Sequence, residues 1–281
     1  MIVSIWGCRC SLTVAGPEVV RYGGYTTCVE VRLEDGTLLI IDAGSGIHPL
    51  GRQLLAEPGL ADMHLFLTHS HWDHLTGFPF FGPAYSERYR VHVHGGPDAK
   101  TSLARYLQHQ MDPPYFPVDF SKLKAAFDFD TDHAAEVRLG SASLIPVPLS
   151  HPNGAYGCRI VDHGRSFVFL TDNEPDFPHP GGMATADYVE ASRGADLLLH
   201  DAQYSDEEYE RFARGWGHST YRRAALVAVE AGVKSFGTFH HDPDHDDREI
   251  DGSVRVCRKI IRERGARTRC FASAQGMTIR I

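Results

Sequence analysis

Residues 68–77 read Thr-His-Ser-His-Trp-Asp-His-Leu-Thr-Gly and follow directly on an apolar, strand-like run, Met63 to Leu67. His69, His71, Asp73 and His74 therefore crowd the end of a strand, and packing does not explain such a concentration of imidazole and carboxylate. Clustered ligands of these types are what zinc, manganese and iron sites require. Residues two apart in an extended chain point the same way, so His69 and His71 can converge on one metal. A turn after Trp72 aims Asp73 and His74 at a second. The stretch reads as the first half of a dinuclear metal site, and the fold must bring the remaining ligands to it from elsewhere in the chain.

The length of 281 residues suits one large domain, 1–281, or two modest ones, and one is expected. A net charge of −8 argues against a broadly cationic nucleic-acid surface. The opening Met1 to Cys10 lacks a basic region and breaks its apolar run at Gly7, so neither a signal peptide nor a membrane anchor is expected. Six scattered cysteines in a chain this long are expected to be free thiols in a reducing cytoplasm. Cys8 and Cys10 form the one close pair and are read as small residues in a turn, since no second pair completes a soft-metal site.

Met1 to Trp6, Thr27 to Leu33 and Thr37 to Ile41 read as antiparallel strands, the last two joined by the hairpin signal Glu34-Asp35-Gly36. Asp42 then sits at a strand end among small residues. It is either a cap for a helix starting near Pro49 or a group that orients a metal ligand. A segment rich in aromatic and proline residues, 78–117, encloses a strand Arg90 to His94 and a helix from Pro97 to Met111, and is either a pocket wall able to stack a base or core packing.

Further strands are expected at Glu136 to Leu139, Leu144 to Val147, Cys158 to Val161, Ser166 to Leu170, Leu197 to Leu199, Ser235 to Phe239 and Met277 to Ile281. Helices are expected at Thr185 to Arg193, Ser205 to Arg214, Thr220 to Ala231 and Asp246 to Arg264. Two strand-rich portions, each with helices, suggest two facing sheets with helices outside.

Three more apolar runs end on a ligand-type residue. Leu149 leads to His151, Leu170 to Asp172, and Phe239 to the adjacent His240 and His241. With the first four these make seven ligands, enough for two metals: His69, His71 and His151 on one, Asp73, His74 and His240 on the other, Asp172 between them.

On these residues the chain resembles the metallo-β-lactamase superfamily, whose His-x-His-x-Asp-His signature stands here as His69-Ser70-His71-Trp72-Asp73-His74. The resemblance implies an α/β fold, a four-layer αββα sandwich of two mixed β-sheets, and the seven-ligand arrangement above. Within the superfamily the chain looks most like the phosphodiesterase branch, with tRNase Z and the class II cyclic-nucleotide phosphodiesterases. Leu199-His200-Asp201-Ala202 is similar to the His-Glu-Ala-Thr motif of tRNase Z, with Asp for Glu and Gln203 for Thr; Gly217-His218-Ser219-Thr220 is similar to its His-Ser-Thr loop. Matching that branch favours His240 over His241 as the last ligand and leaves His241 facing cleft or solvent.

The implied activity is metal-dependent hydrolysis of a small phosphodiester such as a cyclic nucleotide, by a water held between two divalent ions, zinc first, with manganese or iron as alternatives. Asp73, Asp201 and His218 are the expected catalytic residues, His218 as proton donor oriented by Asp201. Only 20 positions, 152–171, separate His151 from Asp172, with no long basic arm to grip RNA, so an RNA-processing nuclease is the second reading. Thioester or lactam hydrolysis and a non-catalytic metal scaffold stand behind these. No membrane partner is expected, and a homodimer is left open. His92 and His94 are expected on one sheet face. His48, His64, His109, His133, His163, His179 and His245 are read as surface residues, and His200 as support for Asp201.

Overall fold

The computed structural model describes residues 1–96, 102–130 and 136–281. One sheet is built from β1 (Ile2–Gly7), β2 (Cys28–Arg32), β3 (Leu38–Ile41), β4 (Asp62–Leu67), β5 (Arg90–Gly95) and β6 (Ala126–Phe129), with the C-terminal β14 (Thr278–Arg280) returning to its edge beside β1. The other runs in sequence order through β7 (Val137–Leu139), β8 (Ala142–Leu149), β9 (Ala155–Asp162), β10 (Arg165–Leu170), β11 (Leu197–Asp201), β12 (Ser235–Phe239) and β13 (Arg269–Ala272). In each sheet an antiparallel portion joins a parallel one: β3 to β6 are parallel, as are β10 to β13.

Both faces of each sheet are covered, which is why the central strands read as nearly unbroken apolar runs. Between the sheets, Val29, Ile41 and Phe66 meet Ile160, Phe169 and Phe239. Outside the first sheet, α1 (Ile47–Ala56) and α2 (Leu103–His109) lay Ile47, Leu50, Leu54 and Leu107 on Leu38, Leu65 and Val93. Outside the second, α3 (Thr185–Ser192), α5 (Tyr221–Glu230) and α6 (Asp247–Glu263) cover Val168, Leu198 and Phe236. On α6, Ile250, Val254, Cys257 and Ile261 form the buried stripe that their spacing predicts. The layers are helix, sheet, sheet, helix, the expected sandwich.

Several local expectations need correction. The helix expected over Ser205 to Arg214 is one α-helical turn, α4 (Asp206–Glu208), which widens into a π turn at Tyr209–Ala213. The capping box holds its start, with Ser205 Oγ accepting from Glu208 N–H and Glu208 accepting from Ser205 N–H. The strands β6 and β13 were not expected; each is four residues long and lies at or near the end of a sheet. Of the helix expected from Pro97, the described part is α2, and residues 97–101 lie outside the described residues, as does His133. All six cysteines are buried free thiols. No described helix is long and apolar enough to cross a membrane.

The C-terminal ends of β3, β4, β8, β10, β11 and β12 are where the ligand-type residues fall. Asp42, Asp172 and His240, each within two residues of a strand's end, adopt φ of 62°, 50° and 62°. Such left-handed backbone is uncommon for residues other than glycine and clusters at functional sites.

Candidate metal centre

The strand ends bring the seven expected ligands together. His69, His71, His151 and Asp172 present donor atoms within 4.8 Å of one another, and so do Asp73, His74 and His240. Asp172 lies between the two groups. Its Oδ2 is 3.6 Å from His69 Nε2 and 3.9 Å from His151 Nε2, while its Oδ1 is 3.2 Å from His74 Nε2 and 3.3 Å from His240 Nε2. Each carboxylate oxygen thus faces one trio, the arrangement a bridging ligand needs.

Outer partners fix which ring nitrogen faces inward. His74 Nδ1–H donates to Asp42 Oδ2 at 2.7 Å, and Thr68 donates to Asp42 from both N–H and Oγ1. Asp42 therefore orients His74, one of the expected ligands; Gly46, not Asp42, precedes α1, which begins at Ile47 rather than near Pro49. His69 Nδ1 is 3.0 Å from Thr68 Oγ1, and His151 Nδ1–H donates to Gly217 C=O at 3.0 Å. Asp73 is held by His240 and by Ser11 N–H at 2.8 Å. Ser11 and Thr68 escaped the sequence reading because they act through backbone and hydroxyl groups that carry no metal-site signature.

The chemistry of these donors fits divalent cations. Four buried carboxylates, Asp42, Asp73, Asp172 and Asp201, cluster here, and among the described residues none pairs with a lysine or arginine. Burial pushes His69 down and His151 to about 3, keeping both rings in the neutral form that ligates metal. His74 is driven the other way: burial opposes its charge, but Asp172, Asp73 and Asp42 outweigh it. The site thus carries negative charge in search of a cation. Buried His69 Nε2 and His74 Nε2, both aimed at Asp172, have no hydrogen-bond partner. Buried polar atoms are rarely left so unless another ligand takes them.

His218 stands at the edge of this cluster. Its Nδ1–H donates to Asp201 Oδ2 at 2.7 Å, and its ring lies 5.1 Å from His240 and 5.3 Å from His151. Burial works against its charge, but Asp201, with help from Asp172 and Asp73, holds it at about 9. Asp201 also accepts from Ser219 N–H and Gln203 N–H, so the carboxylate is fixed from two loops. His200 supports the same turn, its Nδ1–H donating to Asp201 C=O.

The adjoining histidine behaves differently from expectation. His241 faces neither cleft nor solvent; it is buried, with Nε2 against Ser273 C=O at 3.0 Å and its ring 5.8 Å from Tyr22. His179 and His245, read as surface residues, are held by Glu174 and Glu208 respectively. His92 and His94 do share a sheet face, and His64 of β4 joins them, its Nδ1 2.9 Å from His94 Nε2.

Beside His218 opens a cleft of about 760 Å³, lined by Tyr204, Arg211, Phe212, Trp216 and His245 among others. Its aromatic rings form a ladder: Tyr204 is 6.2 Å from His218, Phe212 5.7 Å from Tyr204, and Trp216 5.6 Å from Phe212. Phe212 and Trp216 remain 40% and 54% exposed. The 78–117 segment supplies mainly packing, with Phe78, Phe81 and Leu107 in the core and Phe116 against it, although Phe80 and Tyr115 are exposed.

A family profile described as the Beta-lactamase superfamily domain matches residues 37–241. The chain belongs to this superfamily. Ribonuclease Z of Brevibacillus brevis is 40% identical over 272 residues, spanning 79% of this chain and 81% of that protein. Ribonuclease Z of Haloferax volcanii is 30% identical over 244 residues, spanning 73% and 76%. The crystal structure of unliganded yeast PDE1 aligns over 100% of this chain and 99% of its own with a TM-score of 0.70 at 13% identity, a likeness of fold. The protein is a metallo-β-lactamase-fold hydrolase, and its histidine and aspartate cluster is that of a dinuclear centre for divalent cations.

The loop holding His151 leaves no room for a side chain at Gly217. With φ of +94° there, a Cβ would stand 2.1 Å from His151 Nδ1. Gly217→Ala should displace the ring and break its hydrogen bond to the backbone, weakening metal affinity on the His69, His71, His151 side by about 10–100-fold. Competition titration with a chromophoric chelator measures this; unaltered affinity at both sites would contradict it.

Proposed function

We propose that this hydrolase cleaves compact phosphodiesters, such as a 3′,5′-cyclic nucleotide. In this reading His69, His71 and His151 hold one divalent cation, Asp73, His74 and His240 hold the other, Asp172 spans both, and His218 protonates the leaving oxygen. The observation that carries it is the pairing of His218 with Asp201 at 2.7 Å beside both trios. When bound, the two cations supply Lewis acidity, stabilising charge on the phosphoryl oxygens and acidifying a water toward neutrality.

The chain's own groups supply the rest. Asp201 fixes the His218 tautomer, so Nε2 carries the proton that can be given to an alkoxide leaving from phosphorus. The imidazolium left stable by that carboxylate is the acid form of the donor. The aromatic ladder Tyr204, Phe212 and Trp216 offers a surface on which the base of a nucleotide can stack, worth about 1–3 kcal/mol per base. That surface takes over the role considered for the aromatic residues of the 78–117 segment.

Compactness of the substrate is supported by the chain between His151 and Asp172. It is used up by β9 and β10, which pair as a hairpin closed at His163-Gly164, so no arm extends from this point to hold a long RNA. Identity of 40% with a ribonuclease Z favours precursor RNA as the second reading.

Protein reconstituted with zinc or manganese should hydrolyse 3′,5′-cyclic nucleotides and bis(p-nitrophenyl) phosphate, and should leave a 3′-extended precursor tRNA uncut. Endonucleolytic cleavage of that RNA without turnover of the small diesters would establish the second reading instead. Turnover of a thioester or a β-lactam alone would sink both, and full metal occupancy without turnover of anything tested would make the protein a scaffold.

A further inference from the structure

Glu174 lies two residues beyond Asp172, and its carboxylate is buried, yet its hydrogen bonds among the described residues go to groups other than the proposed ligands. Both oxygens are occupied. Oε1 accepts from Tyr209 Oη–H at 2.6 Å and Gly215 N–H at 2.7 Å; Oε2 accepts from Gly217 N–H at 2.7 Å and meets His179 Nε2 at 2.9 Å. Three of these four partners belong to the segment that runs from the π turn to His218. The segment's other anchors are the hydrogen bond from His151 to Gly217 C=O, the turn from Trp216 N–H to Ala213 C=O and the packing of Tyr209 and Ala213 on Tyr204. Gly215 and Gly217 both take positive φ, at 86° and 94°, and Trp216 between them is half exposed.

The same contacts accompany the π turn. Tyr209 is its first residue, and Arg214 N–H closes it on Tyr209 C=O at 3.0 Å, one residue wider than an α-helical turn. Tyr209 is thereby anchored at both its hydroxyl and its carbonyl, and such widened turns recur at functional sites. The residue after Gly217 is His218.

We infer that Glu174 is the positioning residue that sets the His218 loop, tying the proton donor to the same β10 strand end that presents Asp172. This rests on the donor role proposed for His218. A carboxylate suits the place because both its oxygens accept, and donors converge on it from the loop. Glutamine would keep the volume but turn an NH2 group toward some of those donors, leaving at least one buried N–H or O–H unpaired.

The leaving group gives the test. A nitrophenolate departs without a proton, whereas the ribose oxygen of a cyclic nucleotide needs one, so loss of donor positioning falls on the second substrate and not the first. E174Q, H218A and wild type would be compared on bis(p-nitrophenyl) phosphate and on a 3′,5′-cyclic nucleotide, with two metals per chain verified by elemental analysis. E174Q is expected to lose at least tenfold more kcat on the cyclic nucleotide than on the nitrophenyl ester, in the same direction as H218A. Y209F removes one of the four contacts and should show the same signature at smaller size, which keeps the test open if E174Q does not fold.

Equal losses on both substrates, or none on either, would overturn the inference, since a merely structural role lowers both together. A selective effect in H218A without one in E174Q or Y209F would remove Glu174 alone. Absence of the effect in H218A itself would remove the donor role and Glu174's with it.

Discussion

Replacing His218 with alanine should lower kcat for a cyclic nucleotide by about 10²–10⁴-fold, the usual worth of a positioned general acid, and should lower kcat for a nitrophenyl ester far less. The expectation follows from geometry. His218 is held at 2.7 Å by a carboxylate that is itself fixed by two backbone N–H groups, so its ring is already oriented beside the proposed ligands. The pH dependence has a definite sign. Asp201 and its neighbours raise His218 above its ordinary value, to about 9 by the protein's own charges, despite burial. Activity with a demanding leaving group should fall as pH rises through the pKa of the occupied site, which the cations shift below that value. H218A should lose that alkaline limb. A limb that persists in the variant would assign it to another group, and equal losses on both substrates would end the donor role. The raised pKa also makes this pair a contributor to folding stability that is fully present below the unfolded histidine value and fades as pH rises through the folded one.

Stripping divalent cations should abolish turnover of all phosphodiesters and lower the melting temperature by about 10 °C. The donors come from both sheets: His69 to His74 follow β4 in one, and His151, Asp172 and His240 follow β8, β10 and β12 in the other. Cations held among them would clamp the two sheets at one end. At free metal a thousandfold above Kd, binding to the folded state alone contributes about 4 kcal/mol, and about 2–4 °C accompanies each kcal/mol in a large domain. Without cations the buried carboxylates keep imidazoles and a few backbone and hydroxyl donors but no metal charge, and part of their desolvation goes uncompensated. Calorimetry before and after dialysis against a chelator, with zinc or manganese returned afterwards, measures both effects. Turnover surviving at zero metal would sink the mechanism. An unchanged melting temperature with metal fully removed would sink the clamp and leave the chemistry standing.

How much of this was legible in the chain depended on the range of the signal. The proposed ligands at 69–74 lie within six residues and carry their own pattern, and His151, Asp172 and His240 each follow an apolar run. Alternation and helical spacing likewise revealed most strands and the buried face of α6. Asp42 stayed undecided because its partner, His74, lies 32 residues away and no local pattern links them. His179 and His245 looked like surface residues for the same reason: burial of an imidazole depends on carboxylates, Glu174 and Glu208, that only the fold brings near. The π turn reads as ordinary helix because its capping box is a good helix start, and the contact of Tyr209 with Glu174 that accompanies the widening is tertiary. The strands β6 and β13, four residues each, lie at sheet ends and have no flanking signal that sets them apart in the sequence.

The left-handed backbone at Asp42, Asp172 and His240 carries a consequence for anyone who would improve this protein. Each position imposes a local strain of about 1–2 kcal/mol on a residue with a Cβ, and glycine would relieve it. A library selected for heat resistance in a chelator would therefore be free to drift toward glycine at the strand ends, since no cation then stabilises the acid and imidazole groups that stand there. Directed evolution of this fold has to keep metal present or select for turnover in every round, because Asp42, Asp172 and His240, three of its left-handed positions, stand in or behind the proposed centre.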